Sequence, residues 1–441
     1  MQNSTNEMAM LLTHHQQSPI VYLSSSGILD FTDREASKVA SIGISSAKGS
    51  NTINLGDEWL VRFFVKAANE TIMAANKRLL VWDWKGIASF ILGRYGVPLQ
   101  PQCSIIDLKL IESHSDAHLG MPSNISEFMG RLRAASDSAT WKLRQDVYRL
   151  VHLPLSMDVV PEMEAIGILG DTRLHAFYDI VGQENGRMLS HKAFSRGYVP
   201  HVLTPELRNQ LKPIENHLFV YLDYRSMEVQ MLAWLSRDDE LARACSSDDI
   251  YASAYEMVTK TPCDSDEKRS MCKRFLLPIF YGMGAAGLEK SIGLPMAACE
   301  SIVERVHGIF HVASAWMRSV QSAAESSGCY TDMLGKKRSF AEKHYRARNF
   351  AIQSPSAVFC MHGLVRLHGA LKGIAKIAYN VHDGFMIYVT RDGMREAILA
   401  AQKALMSQSE LFPGLTIGVS CLVGKSLIDM KQINLPGKKR K

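Results

Sequence analysis

The chain has 441 residues, 46% of them hydrophobic, which is enough for two or three domains with a sizeable buried core. Fifty Lys and Arg against 44 Asp and Glu leave a net charge of +6, which permits nucleic acid as a partner without demanding it. Eight scattered cysteines with no C-x-x-C pair argue against a disulfide framework or structural zinc, and no apolar run reaches the ~18 residues of a membrane span. The N-terminus also lacks a basic stretch followed by an apolar one, so the expectation is a soluble protein of a reducing cytoplasm, bacterial or viral in a host cell.

Residues 1–18 are polar and read as a flexible N-terminus. From Pro19 to about Asp116, the strand-like segments IVYL, ASIGIS, RLLVWDW and CSIIDL alternate with a helical pattern over 86–95, which predicts a small α/β unit. Trp82 and Trp84 read as packing within it. A charged helical stretch over 125–151 leads out of this unit. A strand-rich zone follows to about residue 223, then a mostly helical region from 227 to 328, then a helix–strand–strand part from about 347 to 430. The basic end GKKRK at 437–441 reads as a solvated terminus.

Two segments put an acid at the mouth of a strand. LFVYLDYRSMEVQ ends a β-forming run at Asp223, and YNVHDGFMIYVT begins one after Asp383. A buried carboxylate is costly unless something cationic meets it. Two of them on adjacent strands would hold divalent ions about 3.5–4 Å apart, an arrangement that clamps an in-line phosphoryl displacement. A pair of solvated turn aspartates is the alternative reading of these segments alone.

Between them lies EKRSMCKRFLLPIFYGMGAAGL, residues 267–288, in which Arg269, Lys273, Leu277 and Tyr281 recur every four residues and share one helical face. Two cations, then an apolar position and an aromatic, suit a nucleoside triphosphate. An amphipathic helix with a solvated basic stripe is the alternative. Gly282, Gly284 and Gly287 are expected to break this helix, Pro278 to kink it, and Asp264 and Asp266 to cap its start.

Taken in order, these segments resemble the family A DNA polymerases, the group of bacterial DNA polymerase I, over roughly residues 150–430. DYRSME at 223–228 is similar to motif A, D-Y-S-x-I-E. The resemblance makes Asp223 a metal ligand assisted by the Tyr224 carbonyl, and Glu228 the residue that crowds the sugar 2′ position. Motif B reads R-x-x-x-K-x-x-x-F-x-x-x-Y-G, which Arg269, Lys273, Tyr281 and Gly282 match, with Leu277 in place of the phenylalanine. HDG at 382–384 stands where motif C reads H-D-E, making Asp383 the second metal ligand, with His382 on the DNA side. Gly384 replaces an acid that supports the metal site from outside. GRMLS at 186–190 resembles the segment whose arginine, here Arg187, meets the primer–template minor groove, and NFAIQ at 349–353 the helix whose Asn349 and Gln353 contact template or primer end. DDIYASA at 248–254 is similar to D-I-H-x-x-T-A, with Tyr251 for the histidine on the nucleotide side, and VGKSL at 423–427 resembles the closing strand.

The resemblance implies a chain of α/β and α+β parts. A ribonuclease H-like, exonuclease-type domain at 19–145 would precede a right-hand polymerase domain at 146–441, with palm at 150–235 and 345–430 and fingers at 236–344. It further implies templated addition of deoxynucleoside triphosphates to a primer 3′ end, with two Mg2+ ions (Mn2+ as a substitute), Lys273 as proton donor and primer–template DNA as partner. The N-terminal unit departs from the family's exonuclease. Ser24 and Ser26 stand where its D-x-E pair belongs and Ile87 where its next aspartate belongs, while Asp137 remains, with Arg133 for the usual tyrosine. One carboxylate cannot assemble a two-metal site, so proofreading is expected to be absent. Residues 151–171 and 174–190 look like the flanks of the family's thumb, with only Thr172 and Arg173 between them. The thumb is therefore expected to be reduced or absent, processivity low, and an accessory protein a partner. The rival expectation is a catalytically silent polymerase-like subunit that binds DNA or protein.

Overall fold

The computed structural model describes residues 20–26, 41–46, 49–54, 58–70, scattered positions between 73 and 147, 155–158, 173–180, 183–191, and 199–433 except 341. In the N-terminal part, β1 (Ile20–Ser26), β2 (Ser41–Ser46) and β3 (Gly49–Asn54) form an antiparallel meander. Helix α1 (Glu58–Glu70) then crosses to β4 (Arg78–Val81), which lies parallel to β1, and β5 (Ser104–Asp107) lies parallel to β4. The sheet order is β3-β2-β1-β4-β5. Val61, Phe64, Val65 and Ala68 on α1 are buried, the spacing of one helical stripe laid on a sheet. The strand-like segments IVYL, ASIGIS, RLLVWDW and CSIIDL fall on β1, β2, β4 and β5, whereas β3 and α1 were not expected and most of 86–95 lies outside the described residues.

Trp84 and Ile87 are buried in this core, and the Asp107 carboxylate accepts the Trp84 backbone N–H at 2.7 Å. Ser24 and Ser26 lie in β1, placed by their backbone only. Trp82, Arg133, Asp137, Thr172 and the basic tail fall outside the described residues.

A three-stranded antiparallel sheet follows: β6 (Leu155–Asp158), β7 (Arg173–Asp179) and β8 (Leu189–His191). After α2 (Pro205–Gln210) comes β9 (His217–Tyr224), and then a helical array. It consists of α3 (Met227–Ser236), α4 (Asp239–Cys245), α5 (Ile250–Thr259), α6 (Asp266–Phe280), α7 (Ala285–Ile292), α8 (Met296–Ile309) and α9 (His311–Ser327). The chain returns through the hairpin β10 (Cys329–Thr331) and β11 (Lys337–Ser339) and the long α10 (Arg346–Ala370). It ends with β12 (Lys376–Val381), β13 (Gly384–Thr390), α11 (Met394–Leu405), β14 (Val419–Gly424) and β15 (Met430–Gln432). The C-terminal sheet is antiparallel in the order β12-β13-β9-β14-β15.

Strand β13 is paired on both sides, and Phe385, Met386, Ile387, Tyr388 and Val389 are all buried, so the run is apolar on both faces. Buried carboxylates and hydroxyls tie the helices together. Asp238 caps α4 through the Leu241 N–H at 2.9 Å and reaches the Ala313 N–H of α9 at 2.9 Å. Asp332 gathers the Leu334 and Lys336 N–H groups and the Ser354 hydroxyl at 2.6–2.9 Å, pinning the β10–β11 hairpin to α10.

Two local expectations for α6 need correction, its cap and the place of Gly287. Its cap is Ser265, which accepts the Lys268 N–H at 3.4 Å; Asp264 instead pairs with Lys268 at 2.8 Å, and Asp266 lies in the first turn. Pro278 falls in the last turn, so its missing N–H frees only the Arg274 carbonyl and the helix runs on to Phe280. Gly282, at φ +102°, and Gly284, the cap of α7, do end the segment, but Gly287 lies inside α7. Among the described residues, no helix is long and apolar enough to cross a membrane.

Candidate active site

The register of β9 against β13 sets Asp223 opposite Gly384. Asp383 occupies the two-residue turn between β12 and β13, and its carbonyl accepts the Tyr224 N–H at 3.3 Å. The two acids therefore stand at the same end of adjacent strands. The turn is held from behind. The Asn380 side-chain amide donates to the Gly384 carbonyl at 2.8 Å, and the Tyr178 hydroxyl of β7 takes the Asn380 N–H at 2.8 Å while donating to its carbonyl at 2.6 Å. His382 adopts φ +52° there and is exposed.

Asp223 and Asp383 line a cavity of about 950 Å³ together with Tyr221, Tyr224, Tyr251, Arg269 and Lys273. Burial pushes the Asp223 carboxyl up to about 7, with the Asp383 charge adding to the shift and the Tyr221 hydroxyl and Lys273 opposing it. Burial also raises Asp383; its own backbone N–H, Arg187 and His382 favour the anion, and Glu228 disfavours it. Both acids are thus uphill as anions, and a cation between them would relieve that cost. Among the described residues no group of three or more His, Cys, Asp or Glu gathers around a metal position. Two carboxylates nonetheless fit Mg2+, which takes one or two of them plus water and phosphate oxygens.

The cationic face of α6 meets the same cavity. Arg269 Nε bonds the carboxylate of Asp249, which also caps α5 through the Tyr251 and Ala252 N–H groups at 3.0 and 3.1 Å. Burial works against the Asp249 charge, but Arg269 and these amides outweigh it and hold the carboxyl below its usual value. The Tyr251 ring lies under both cations, 5.7 Å from the Arg269 guanidinium carbon and 5.3 Å from Lys273 Nζ.

A second cluster sits beside the first. Glu228, in the first turn of α3, accepts from Arg187 and from the Tyr281 hydroxyl at the end of α6. Burial, reinforced by the Glu228 charge, raises the Tyr281 phenol far above its usual value, so it stays a donor. Gln353 on α10 accepts the Asn185 amide at 3.1 Å and borders Tyr281. Asn349 and Gln353 line a neighbouring cavity of about 410 Å³ with Gln183, Arg338 and Phe340. Leu277 departs from the expected face: it packs half-buried against the core and stands on the wall of neither cavity.

Several residues of this geometry escaped the sequence reading. Asp249 carries Arg269, and Tyr178 with Asn380 fixes the Asp383 turn. The Tyr221 hydroxyl approaches Asp223 Oδ1 at 3.4 Å. Tyr221 left a signal in the sequence, because residues two apart on a strand share a face, and Asp249 left one as the first residue of the D-I-H match, though neither contact could be read from it.

The family model for DNA polymerase family A matches residues 154–429, more than half of the chain. Thermostable DNA polymerase I of Thermus filiformis is 26% identical over 278 residues, covering 59% of this chain and 33% of that protein. DNA polymerase I of Pseudomonas aeruginosa is 24% identical over 255 residues, covering 53% of this chain and 28% of that protein. The chain therefore spans about a third or less of the length of these relatives. The POL domain of Pol1 from M. smegmatis, solved in complex with DNA primer-template and dNTP, superposes with a TM-score of 0.71 at 15% identity, over 96% of this chain and 98% of that one. That likeness covers the fold, and with the family match over 154–429 it leads to one conclusion: this chain belongs to DNA polymerase family A.

Proposed function

We propose that the chain is a template-directed DNA polymerase that adds deoxynucleoside triphosphates to a primer 3′ end. The observation that carries this reading is the convergence of Asp223, Asp383, Arg269 and Lys273 on one cavity. Asp223, Asp383 and the main chain of Tyr224 would hold two divalent ions, Mg2+ or Mn2+. When bound, such ions make the primer hydroxyl a better nucleophile and clamp the attacking and leaving oxygens.

The chain's own residues do the rest. Lys273 gives a proton to the departing pyrophosphate, and Arg269, exchanging Asp249 for phosphate, neutralises its charge. Tyr251 serves the nucleotide side, whereas Leu277, turned to the core, has no place there. Glu228, braced by Arg187 and Tyr281, crowds the sugar 2′ position and rejects ribonucleotides. Arg187, His382, Asn349 and Gln353 face primer and template. Base choice comes from pairing with the template, not from side chains reading sequence.

In this reading residues 19–145 are an exonuclease-like scaffold without proofreading, and residues 146–441 form the polymerase, with palm at 150–235 and 345–430 and fingers at 236–344. Ser24 and Ser26 in β1 and the buried Ile87 support the first part. Strands β6 and β7 pair directly across the connection 159–172, which leaves little chain for a helical thumb. Fewer neutralised phosphates then mean a weaker grip on the duplex, low processivity and a role for an accessory protein.

The test is primer extension on a short primed template, with each deoxynucleotide alone and then all four. Templated addition by the wild type is expected, lost in Asp223→Ala and Asp383→Ala while primer–template binding persists. No addition by the wild type would support the silent binding subunit, and extension by either variant would overturn the assignment. Nucleotide release from a labelled single-stranded 3′ end, lost only on mutation within 19–145, would overturn the absence of proofreading.

A further inference from the structure

Gly384 stands where the motif C pattern has an acid, and its backbone is not the reason. Its φ is not positive, so other residues could adopt the same conformation. The obstacle is Tyr221. On β13, Gly384 lies opposite Asp223 and Met386 opposite Tyr221, which makes 384 and 221 diagonal neighbours. A Cβ built on Gly384 would fall inside the van der Waals shells of the Tyr221 hydroxyl oxygen and Cζ, and 2.7 Å from Cε2. The phenol ring therefore lies where a side chain from 384 would begin. Its hydroxyl borders the cavity of the two carboxylates and reaches Asp223 Oδ1 at 3.4 Å.

We propose that Tyr221 takes over the place and the supporting task of the missing motif C acid, as a positioning residue that orients Asp223 for a divalent cation. The inference rests on the polymerase reading above. An acid at 384 would push the phenol from its place beside Asp223, so the two positions act as one unit. The exchange also has an electrostatic consequence. A phenol braces Asp223 by donating to it, without adding another negative charge beside two buried carboxylates.

The test measures Mn2+ binding to the full chain on primer–template DNA, by the loss of the free-ion paramagnetic resonance signal, together with melting temperature. The variants are Tyr221→Phe, Gly384→Glu and the double variant Tyr221→Ala/Gly384→Glu. Tyr221→Phe keeps the ring and removes the hydroxyl. It is expected to melt with the wild type but to bind Mn2+ about 10-fold more weakly, the low end for lost outer support because the contact is long. Gly384→Glu alone is expected to melt lower and bind weakly, and the double variant to recover affinity to within about 3-fold of wild type. Unchanged Mn2+ affinity in Tyr221→Phe overturns the proposal. If Tyr221→Phe itself melts lower, the double variant decides: affinity no better than in Gly384→Glu overturns it. A wild type that binds no Mn2+ overturns the polymerase reading and this inference with it, whereas binding that is indifferent to position 221 overturns this inference alone.

Discussion

Replacing Asp223 with asparagine should make the metal-free protein more stable at neutral and alkaline pH. The carboxyl moves from its ordinary 3.8 to about 7 on folding, because burial and the neighbouring Asp383 both oppose its charge. At 1.36 kcal/mol per pKa unit that displacement is worth about 4 kcal/mol once the group is ionised in both states. Water entering the open cavity and proton sharing with Asp383 reduce it to about 2 kcal/mol. The sign follows from proton counting. Between pH 3.8 and 7 the folded chain holds a proton that the unfolded chain has released, so stability falls as pH rises through that window. Asparagine has the same shape and no charge to desolvate, so its advantage should be about 2 kcal/mol at pH 8, falling to about 1.4 kcal/mol at pH 5. Urea unfolding in a chelator at the two pH values, followed by circular dichroism, measures both numbers. Equal or lower stability of the variant at pH 8, or a gain that does not shrink at pH 5, would refute the electrostatic account.

Glu228→Ala removes the acceptor shared by Arg187 and Tyr281, and ribonucleotide use should rise at least ~10-fold relative to deoxynucleotide use in single-nucleotide kcat/KM. Tyr251→Ala takes the ring from under two cations, each contact being worth about 0.5–1 kcal/mol, so KM for the incoming nucleotide should rise about 5- to 30-fold. Gly363→Ala would drive a methyl group into the Tyr224 hydroxyl and to 3.2 Å from Leu405 Cδ2, costing about 1–3 kcal/mol in denaturant unfolding. Tyr178→Phe strips both hydrogen bonds from the Asn380 main chain, which should cost about 1–3 kcal/mol and lower kcat more than it alters nucleotide KM.

The strands that bear Asp223 and Asp383 were legible because their β-forming runs are long and sharply bounded. The recurrence of Arg269, Lys273 and Tyr281 at multiples of four residues likewise marks α6. What stayed hidden is what pairing over long separations decides. The neighbourhood of 221 and 384 depends on the β9–β13 register, and nothing local specifies that register. The tie between Arg269 and Asp249 depends on how α5 packs on α6. Leu277 shares the period of the cationic face yet turns to the core, because a periodic stripe cannot say which member the next layer covers. Ser265 outcompeted two flanking aspartates as the cap of α6, a choice made by backbone angles that composition does not record.

The bracket that Tyr178 makes on Asn380 links events at distant points of the chain. Tyr178 belongs to the strand that follows residues 159–172, and Asn380 to the strand that leads into the Asp383 turn. A displacement of that strand would reach the Asp383 turn through one phenol. Under the proposed polymerase function, anything that pulls on this strand would alter how fast nucleotides are added as well as how firmly a duplex is kept.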